Sequence, residues 1–286
     1  MALDLKNLTV RTFSGAVYIG LLIGAIVLGT TATAILMAVF AVLATYELEG
    51  NALKADNPDR WYVPWIVDAA ALASLQLSVI FSPYHTHAWF FLAFVCLLCL
   101  RFIMQIFIPE GKPLKSVGVA ALEVLYIGLP LYLLSVAVSF IHNPWIVVCA
   151  LAMIWINDSG AYLVGCSIGK HKMFPRLSPK KSWEGFFGGL LFNIGAAFIF
   201  FYCFHLDQFE FISNVQGWIF IGICVTVFAT LGDLFESMLK RSLGIKDFGN
   251  IIPGHGGILD RVDSLLFVVP MVMLLISIAS IAIVVD

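Results

Sequence analysis

FSGAVYIGLLIGAIVLGTTATAILMAVFAVLATY, residues 13–46, contains no charged side chain. A membrane-spanning helix needs about 20 consecutive, mostly apolar residues. The run is therefore too long for one spanning helix, and it is also too long for the apolar segment of a signal peptide. Its one break is Gly29-Thr30-Thr31, so the sequence predicts two spanning helices that meet there.

The rest of the chain has the same character. Of its 286 residues, 61% are hydrophobic and 12% are charged, a composition that excludes a water-soluble domain. The apolar runs are continuous rather than alternating, which excludes a transmembrane β-barrel. We expect an all-α polytopic membrane protein with a single integral membrane domain over 1–286, composed of N-terminal helices in 1–140 and catalytic helices and loops in 145–286. Nine spanning helices are predicted, at about 12–29, 31–48, 63–82, 88–108, 117–141, 145–167, 185–205, 216–239 and 262–284.

The basic residues predict the orientation of these helices. With nine spans, all 16 Lys and Arg lie on or near the side of the N-terminus, provided that Arg101 reaches that side by extending its long side chain. Since Lys and Arg concentrate in cytoplasmic loops, we expect a cytoplasmic N-terminus. The basic loops on that side are 49–62, 109–116, 168–184 and 240–261. The chain length and the lack of extra domains favour a bacterial inner membrane.

Acidic residues gather on the same predicted side. A charged side chain at the centre of a spanning helix costs about 2.5–3.5 kcal/mol, so several of them imply a polar cavity that opens to the cytoplasm. The acids that support this expectation are Asp68, Glu123, Asp158, Asp233, Glu236, Asp260 and Asp263.

The richest polar stretch begins at the end of the eighth predicted span. Its first four polar residues have the spacing of one helical stripe. Such a stripe suits the binding of a metal and a phosphate. Alternatively, its side chains pair with one another and stabilise the helix bundle. A glycine-rich loop follows, whose backbone amides can turn toward an anion unless the loop is only a flexible connector. The stripe is Asp233, Glu236, Ser237 and Lys240, and the loop candidates are Arg241, Lys246, Asp247, His255, Gly256 and Gly257.

Two aspartates open the ninth predicted span, with Arg261 next to the first of them. Asp260 and Asp263 have the spacing of one helix face, and with Asp233 they would make an oxygen-rich site that suits Mg²⁺. Acids in the first turn are also favoured by the helix dipole alone. That alternative explains one aspartate but not the whole group.

Two more polar segments lie upstream. Asn157 and Asp158 lie deep in the sixth predicted span, and the loop from Lys170 to Glu184 carries five basic residues. Such a loop attracts anionic lipid head groups or a nucleotide polyphosphate; its alternative role is a cytoplasmic anchor. These segments have the parts of a phosphoryl- or nucleotidyl-transfer site, where metals and basic residues neutralise phosphate charge. The loop candidates are Ser178, Lys180, Lys181 and Glu184.

The order of residues from Ser237 to Asp263 resembles the signature of the phosphatidate cytidylyltransferase (CDP-diacylglycerol synthase) family. Residues 157–162 and 178–185 resemble the other two recurrent segments of that family, whereas the first 140 residues resemble it only in being hydrophobic helices. The matching elements of the long signature are Lys240-Arg241, Lys246-Asp247, Ile252-Pro253, His255-Gly256-Gly257 and Asp260-Arg261-Val262-Asp263.

This resemblance implies a Mg²⁺-dependent nucleotidyltransferase that converts CTP and phosphatidate into CDP-diacylglycerol and diphosphate in phospholipid biosynthesis. It also implies a two-metal site, whose second ion could be monovalent. The implied metal ligands, which are also catalytic, are Asp233, Asp260 and Asp263, and Lys240 is a further catalytic residue. The implied substrate-binding residues are Asn157, Asp158, Ser178, Lys180, Lys181, Glu184, Ser237, Arg241, Lys246, Asp247, His255, Gly256, Gly257 and Arg261.

The expected partners are CTP, phosphatidic acid and membrane lipids, in a homodimer that binds no nucleic acid and whose active site faces the cytoplasm. One alternative is a CTP-dependent polyprenol or phytol kinase, which would release CDP rather than diphosphate. Another is an ion-coupled transporter, since intramembrane acids and broken helices also build transport sites. The acids here gather at one face rather than at the midplane, which argues against a transporter.

Overall fold

The computed structural model of the chain describes residues 5–82, 86–108, 112–141, 143–204, 213–252, 254 and 256–285. Most of these residues are helical, and a short antiparallel hairpin precedes the eighth helix. The elements are α1 (Leu5–Leu28), α2 (Thr30–Leu53), α3 (Tyr62–Ile80), α4 (His87–Phe107), α5 (Pro113–Leu122), a π-helical turn (Glu123–Gly128), α6 (Leu129–Phe140), α7 (Pro144–Ile168), β1 (Lys172–Phe174), β2 (Ser178–Ser182), α8 (Trp183–Phe204), α9 (Val215–Ser242) and α10 (Leu259–Val285).

Eight helical stretches in the described part of the chain are long and apolar enough to cross a membrane. The helix α5, the π-helical turn and α6 form one of them, Pro113–Phe140, and a shorter apolar stretch in α1, Thr12–Leu28, corresponds to the first predicted span. The prediction of an all-α polytopic membrane protein is confirmed. The other seven are Thr30–Leu53, Tyr62–Ile80, His87–Phe107, Pro144–Ile168, Trp183–Cys203, Val215–Ser242 and Leu259–Ile278.

The predicted division of the first apolar run is also confirmed. Gly29, between α1 and α2, has a φ of +102°, a backbone conformation that favours glycine. Thr33 Oγ1 donates to the carbonyl oxygens of Ala25 and Gly29, at 3.1 and 3.0 Å. One hydroxyl therefore satisfies carbonyl groups next to the helix break, where the regular hydrogen-bond pattern is interrupted.

The chain divides into two compact units. The N-terminal unit comprises Met1–Ser139 and Leu243–Val262, and the C-terminal unit comprises Phe140–Ser242 and Asp263–Asp286. In the N-terminal unit, α2 packs against α1 and α3, and α3 packs against α4. In the C-terminal unit, α7, α8 and α9 pack against one another. That the chain forms one integral membrane domain stays a prediction.

Arg101 extends its side chain toward the end of α4, where it meets Gln105 and Ser116, but it does not reach solvent. Its side chain is buried in the N-terminal unit, where Nε donates to Asp68 Oδ2 at 2.7 Å and Nη2 donates to Ser116 Oγ at 2.8 Å. Nη2 also lies 3.6 Å from Glu49 Oε1. Since a buried charge is tolerated when it is paired, these acids account for the arginine inside the helix bundle.

A surface pair lies in the loops of the same unit. Lys115 Nζ donates to Asp56 Oδ2 at 2.6 Å, and Lys112 Nζ lies 3.4 Å from Asp56 Oδ1. The hydrogen bond from Lys115 holds the pKa of Asp56 below its usual value. Because solvent screens such pairs, this one contributes little to stability.

Candidate functional site

A cavity of about 660 Å³ lies in the C-terminal unit. Its volume is within the usual range for small-molecule sites. The wall is formed by α7, the β1–β2 hairpin, the start of α8 and the part of α9 near Thr230. Three separate segments of the sequence therefore bring five predicted site residues to one space, and these are Asn157, Asp158, Lys180, Lys181 and Asp233.

Lys181 and Asp233 form an ion pair in the wall of this cavity. Lys181 Nζ lies 2.8 Å from Asp233 Oδ2 and donates to the carbonyl oxygen of Thr230 at 3.3 Å. The side chain of Lys181 is 25% exposed and that of Asp233 is 39% exposed. Partly exposed ion pairs contribute little net stability. The pair can therefore open, so that the lysine meets an anion and the aspartate meets a cation.

Asp233 is one of three interacting carboxylates in this unit. Asp263, in α10, interacts electrostatically with Asp233, with Asp158 and with Lys240. Among the described residues, the oxygens of these three carboxylates are not gathered within 4.8 Å of one another. Mg²⁺ is usually held by one or two carboxylates together with phosphate oxygens and water. The donor set therefore fits Mg²⁺ that arrives with a phosphorylated substrate.

Asn157 contributes an acceptor next to these acids. Its Nδ2 donates to Asp158 Oδ1 at 3.3 Å, while its Oδ1 is buried and has no hydrogen-bond partner among the described residues. The approach of α8 fixes this side chain, because a Cβ at Gly189 would lie 2.5 Å from Asn157 Oδ1. Close packing of α7 on α8 thus orients a residue of the cavity wall.

Replacing Gly189 with Ala is expected to lower stability by about 1–3 kcal/mol, because the added methyl group overpacks this contact. The apparent unfolding midpoint of the purified protein in detergent checks this expectation. Gly195→Ala is the matched control in the same helix, since its Cβ would meet no atom within 4 Å. An equal midpoint for Gly189→Ala and Gly195→Ala would contradict the proposed packing.

The predicted basic loop folds as the β1–β2 hairpin, and Glu184 holds it. Glu184 Oε1 lies 2.6 Å from His171 Nδ1 and accepts from the His171 backbone amide at 3.1 Å. Ser182 Oγ accepts from the Gly185 amide at 3.2 Å, which caps the first turn of α8. These contacts give Glu184 a positioning role for the lysines of β2. Ser178 opens β2, and a direct substrate contact for Ser178 or Glu184 stays a prediction.

The stripe on α9 contains both a cavity residue and an internal pair. Ser237 Oγ lies 3.4 Å from Asp233 Oδ1. Lys240 Nζ donates to Glu236 Oε2 at 2.6 Å, and the two side chains are mostly buried. Glu236 and Lys240 therefore form the internal pair that was one of the two interpretations of the stripe, whereas Asp233 lines the cavity. Arg241 lies one residue before the end of α9.

The glycine-rich loop belongs to the N-terminal unit. Asp260 Oδ2 accepts from the backbone amides of Phe248 and Gly257, at 2.8 and 2.9 Å. This carboxylate therefore joins two parts of the loop, in addition to any role as a metal ligand. The loop also contains Lys246, Asp247 and Gly256, and Arg261 follows Asp260 in the first turn of α10. His255 and Pro253 lie outside the described residues.

Glu47 on α2 anchors this loop, a role that was not identified from the sequence. Its Oε1 accepts from the Ile258 amide at 3.0 Å, and its Oε2 accepts from the Leu259 amide at 2.9 Å. A Cβ at Gly257 would collide with the Glu47 carboxylate. The one signal in the sequence was that Glu47 ends the long uncharged run, which by itself indicates only a helix end.

Asn51 holds the same loop one helical turn further along α2. Its Nδ2 donates to the Phe248 carbonyl oxygen at 2.7 Å. With Glu47, it ties a loop that carries several predicted site residues to a helix of the first 140 residues. The sequence motifs did not indicate that Glu47 and Asn51 support the candidate site.

The cytidylyltransferase family model matches residues 9–279 of this chain. The chain belongs to the cytidylyltransferase family. Together with the spanning helices, this makes it an integral membrane member of that family. The match includes the N-terminal helices, so the cytidylyltransferase resemblance is confirmed and extends beyond the segments that first indicated it.

Three relatives of this cytidylyltransferase-family chain carry the name phosphatidate cytidylyltransferase. The protein from Staphylococcus haemolyticus (strain JCSC1435) is 32% identical over 274 residues, which cover 93% of this chain and 98% of the relative. The protein from Bacillus subtilis (strain 168) is 38% identical over 192 residues, covering 65% of this chain and 67% of the relative. The protein from Haemophilus influenzae (strain ATCC 51907 / DSM 11121 / KW20 / Rd) is 43% identical over 131 residues, covering 45% and 44%.

Proposed function

We propose that this protein is a phosphatidate cytidylyltransferase, an enzyme that transfers the CMP group of CTP to phosphatidate and releases diphosphate. The observation that carries the proposal is the cavity in the C-terminal unit, where three lysines and two aspartates line one space. Membership of the cytidylyltransferase family and the names of its relatives support the same activity.

The proposed reaction makes modest demands on the protein. A phosphate monoester such as phosphatidate is largely deprotonated near pH 7. One of its oxygens attacks the α-phosphorus of CTP, and a new P–O bond forms. The bond from the α-phosphorus to the bridging oxygen breaks, and diphosphate leaves with that electron pair. No side chain has to remove a proton, so we assign no catalytic base.

Lys180 and Lys181 would neutralise the phosphate charge during this transfer. Lys181 is already paired with Asp233, so a bound phosphate would share or replace that partner. Basic side chains stabilise phosphoryl transfer mainly by positioning and by electrostatics. The reaction is thus supported by charge placement rather than by a nucleophilic residue.

Mg²⁺ would be held by Asp233 and Asp263, with Asp158 close enough to interact with both. When bound, it would neutralise phosphate oxygens as a Lewis acid. The role of Asp260 as a further ligand rests on its spacing from Asp263 and on the family resemblance, and a second ion that could be monovalent rests on the resemblance alone. In Asp260, the observed contacts of Oδ2 support the loop.

We also propose that the cavity opens to the cytoplasm of a bacterial inner membrane, where CTP is available. The distribution of Lys and Arg over the predicted loops supports this orientation. Phosphatidate would arrive from the bilayer. The homodimer and the absence of nucleic-acid partners remain expectations from the resemblance.

The proposal is tested by incubating the purified protein with CTP, Mg²⁺ and phosphatidate. Diphosphate release that requires phosphatidate, together with a cytidine-containing lipid, is the expected result. Release of CDP with a newly phosphorylated polyprenol or phytol would instead assign a lipid kinase. Folded protein that yields neither diphosphate nor a cytidine lipid would refute the proposed activity.

A further inference from the structure

A second group of acids lies inside the N-terminal unit and shares no residue with the proposed catalytic cavity. Glu49 on α2, Asp68 on α3 and Glu123 at the start of the π-helical turn each offer a carboxylate oxygen within 4.8 Å of the others. All three residues are buried, with 0%, 3% and 0% of their surfaces exposed. Three separate elements thus direct acids into one enclosed space.

Most oxygens of this group have no hydrogen-bond donor within the described part of the chain. Five buried oxygens lack one, namely both of Glu123, both of Glu49 and the Oδ1 of Asp68. Native proteins leave few buried polar atoms unsatisfied, and each such atom calls for an explanation. Glu123 is the most informative of the three, because it is completely buried and makes no ion pair within the described residues.

The charges of the group do not balance. Arg101 is the one basic side chain that pairs with these acids among the described residues, through Asp68 at 2.7 Å and Glu49 at 3.6 Å. With all three acids ionised, three carboxylates and one guanidinium would leave two negative charges uncompensated. A buried charge without a partner is strongly disfavoured. Either bound protons or a bound cation must therefore neutralise these two charges. One divalent cation is sufficient.

The spacing of the oxygens suits such a cation. Ca²⁺ and Mg²⁺ take oxygen ligands at about 2.0–2.6 Å, so two ligands on opposite sides of the ion are about 4–5 Å apart. The three carboxylate oxygens lie within 4.8 Å of one another, so a single ion between them can reach all three. We infer that Glu49, Asp68 and Glu123 form a binding site for a hard divalent cation in the N-terminal unit.

The backbone supports this assignment at Glu123. A π-helical turn inside an α-helix is rare and often accompanies a functional site. Here the turn Glu123–Gly128 packs tightly on α3, since a Cβ at Gly128 would lie 2.5 Å from Leu72 Cδ2. The irregular turn is therefore held against the helix that carries Asp68.

A small cavity lies beside two hydrogen-bond partners of Arg101. It measures about 30 Å³, and its lining includes Gln105 and Ser116, both of which accept hydrogen bonds from Arg101. Asp56 and Lys112 line it as well. A cavity of about 10–15 Å³ can already hold one water molecule, so this one has room for water beside two residues that hold Arg101.

A bound cation would link α2, α3 and the π-helical turn. The same helix α2 carries Glu47, which holds the glycine-rich loop. The site is therefore expected to stabilise the support of that loop without touching substrate. This role does not depend on the proposed cytidylyltransferase activity.

The test measures bound Mn²⁺, a hard divalent probe, on the full-length protein in detergent or nanodiscs. The starting variant is D233N/D263N, which removes two of the three proposed catalytic metal ligands, those of the C-terminal unit. We expect it to bind about one Mn²⁺ per chain in equilibrium dialysis and to unfold at a higher temperature with Mn²⁺ than without. Adding Glu123→Gln should weaken Mn²⁺ binding at least tenfold and abolish the temperature shift.

Asp59→Asn in the D233N/D263N background is the matched control, since Asp59 is an exposed acid of the same unit. It should retain the ion. No bound Mn²⁺ in folded D233N/D263N would overturn the proposal and assign the charge balance to protons. Unchanged Mn²⁺ binding after Glu123→Gln would overturn it too. Should that variant not fold, Glu49→Gln provides the same comparison, and the result for D233N/D263N alone still decides.

Discussion

Replacing Asp233 with Asn is expected to lower CDP-diacylglycerol formation by about 1,000-fold, which corresponds to about 4 kcal/mol of transition-state stabilisation. Asp233 lines the cavity, pairs with Lys181 and interacts with Asp263. Asparagine keeps the shape of the side chain but removes the charge that would hold Mg²⁺. Turnover of the purified variant, measured over a range of Mg²⁺ concentrations, should show both the loss and a shift to higher Mg²⁺.

Asp56→Asn is the matched control for Asp233→Asn. It also removes an aspartate that is paired with a lysine, Lys115, but outside the catalytic cavity. Its turnover should stay within about twofold of the unmodified protein, because surface pairs contribute little. Near-normal turnover in Asp233→Asn, with unchanged Mg²⁺ dependence, would remove Asp233 from the proposed metal site.

Replacing Glu47 with Ala is expected to reduce turnover by about 100-fold and to destabilise the protein. The substitution leaves the amides of Ile258 and Leu259 without an acceptor. Both residues are buried, and an unsatisfied buried amide costs about 1–3 kcal/mol. Because these amides begin α10 next to Asp260, the change also releases the loop that carries the predicted site residues. Turnover and the unfolding midpoint are the two measurements.

Glu47→Gln distinguishes the loss of the anchoring hydrogen bonds from a general effect of substitution in α2. Glutamine keeps one carbonyl oxygen, so it can accept from one of the two amides, and both measured values should lie between those of Glu47→Ala and the unmodified protein. Asp59→Asn, an exposed acid of the same unit, should change neither. Full activity and stability in Glu47→Ala would contradict the anchoring role.

Apolar run length was enough to predict the helices. A bilayer fixes the length of a spanning helix at about 20 residues, so uninterrupted apolar runs specify the number of spans and their approximate ends. The break at Gly29 was predictable for the same reason. The π-helical turn at Glu123–Gly128 was not, because its sequence has the same apolar pattern as a regular helix.

The residues of the candidate site were predictable where they belong to sequence motifs. Asp158, Lys181 and Asp233 came from three separate segments and line one cavity. Glu47 was not predictable, because its contact with Ile258 joins residues 211 positions apart. The burial of Arg101 was not predictable for a related reason: its partners, Glu49 and Asp68, lie on two other helices. Local patterns indicate which residues are polar, but the packing of helices decides which of them meet.

The fate of each CTP phosphorus atom tests the proposed activity most directly. Purified protein is incubated with phosphatidate and Mg²⁺, once with CTP labelled at the α-phosphorus and once with CTP labelled at the γ-phosphorus. Cytidylyl transfer predicts that the α label enters the organic-soluble lipid while the γ label appears in diphosphate. A γ label in the lipid and an α label in water-soluble CDP would contradict cytidylyl transfer.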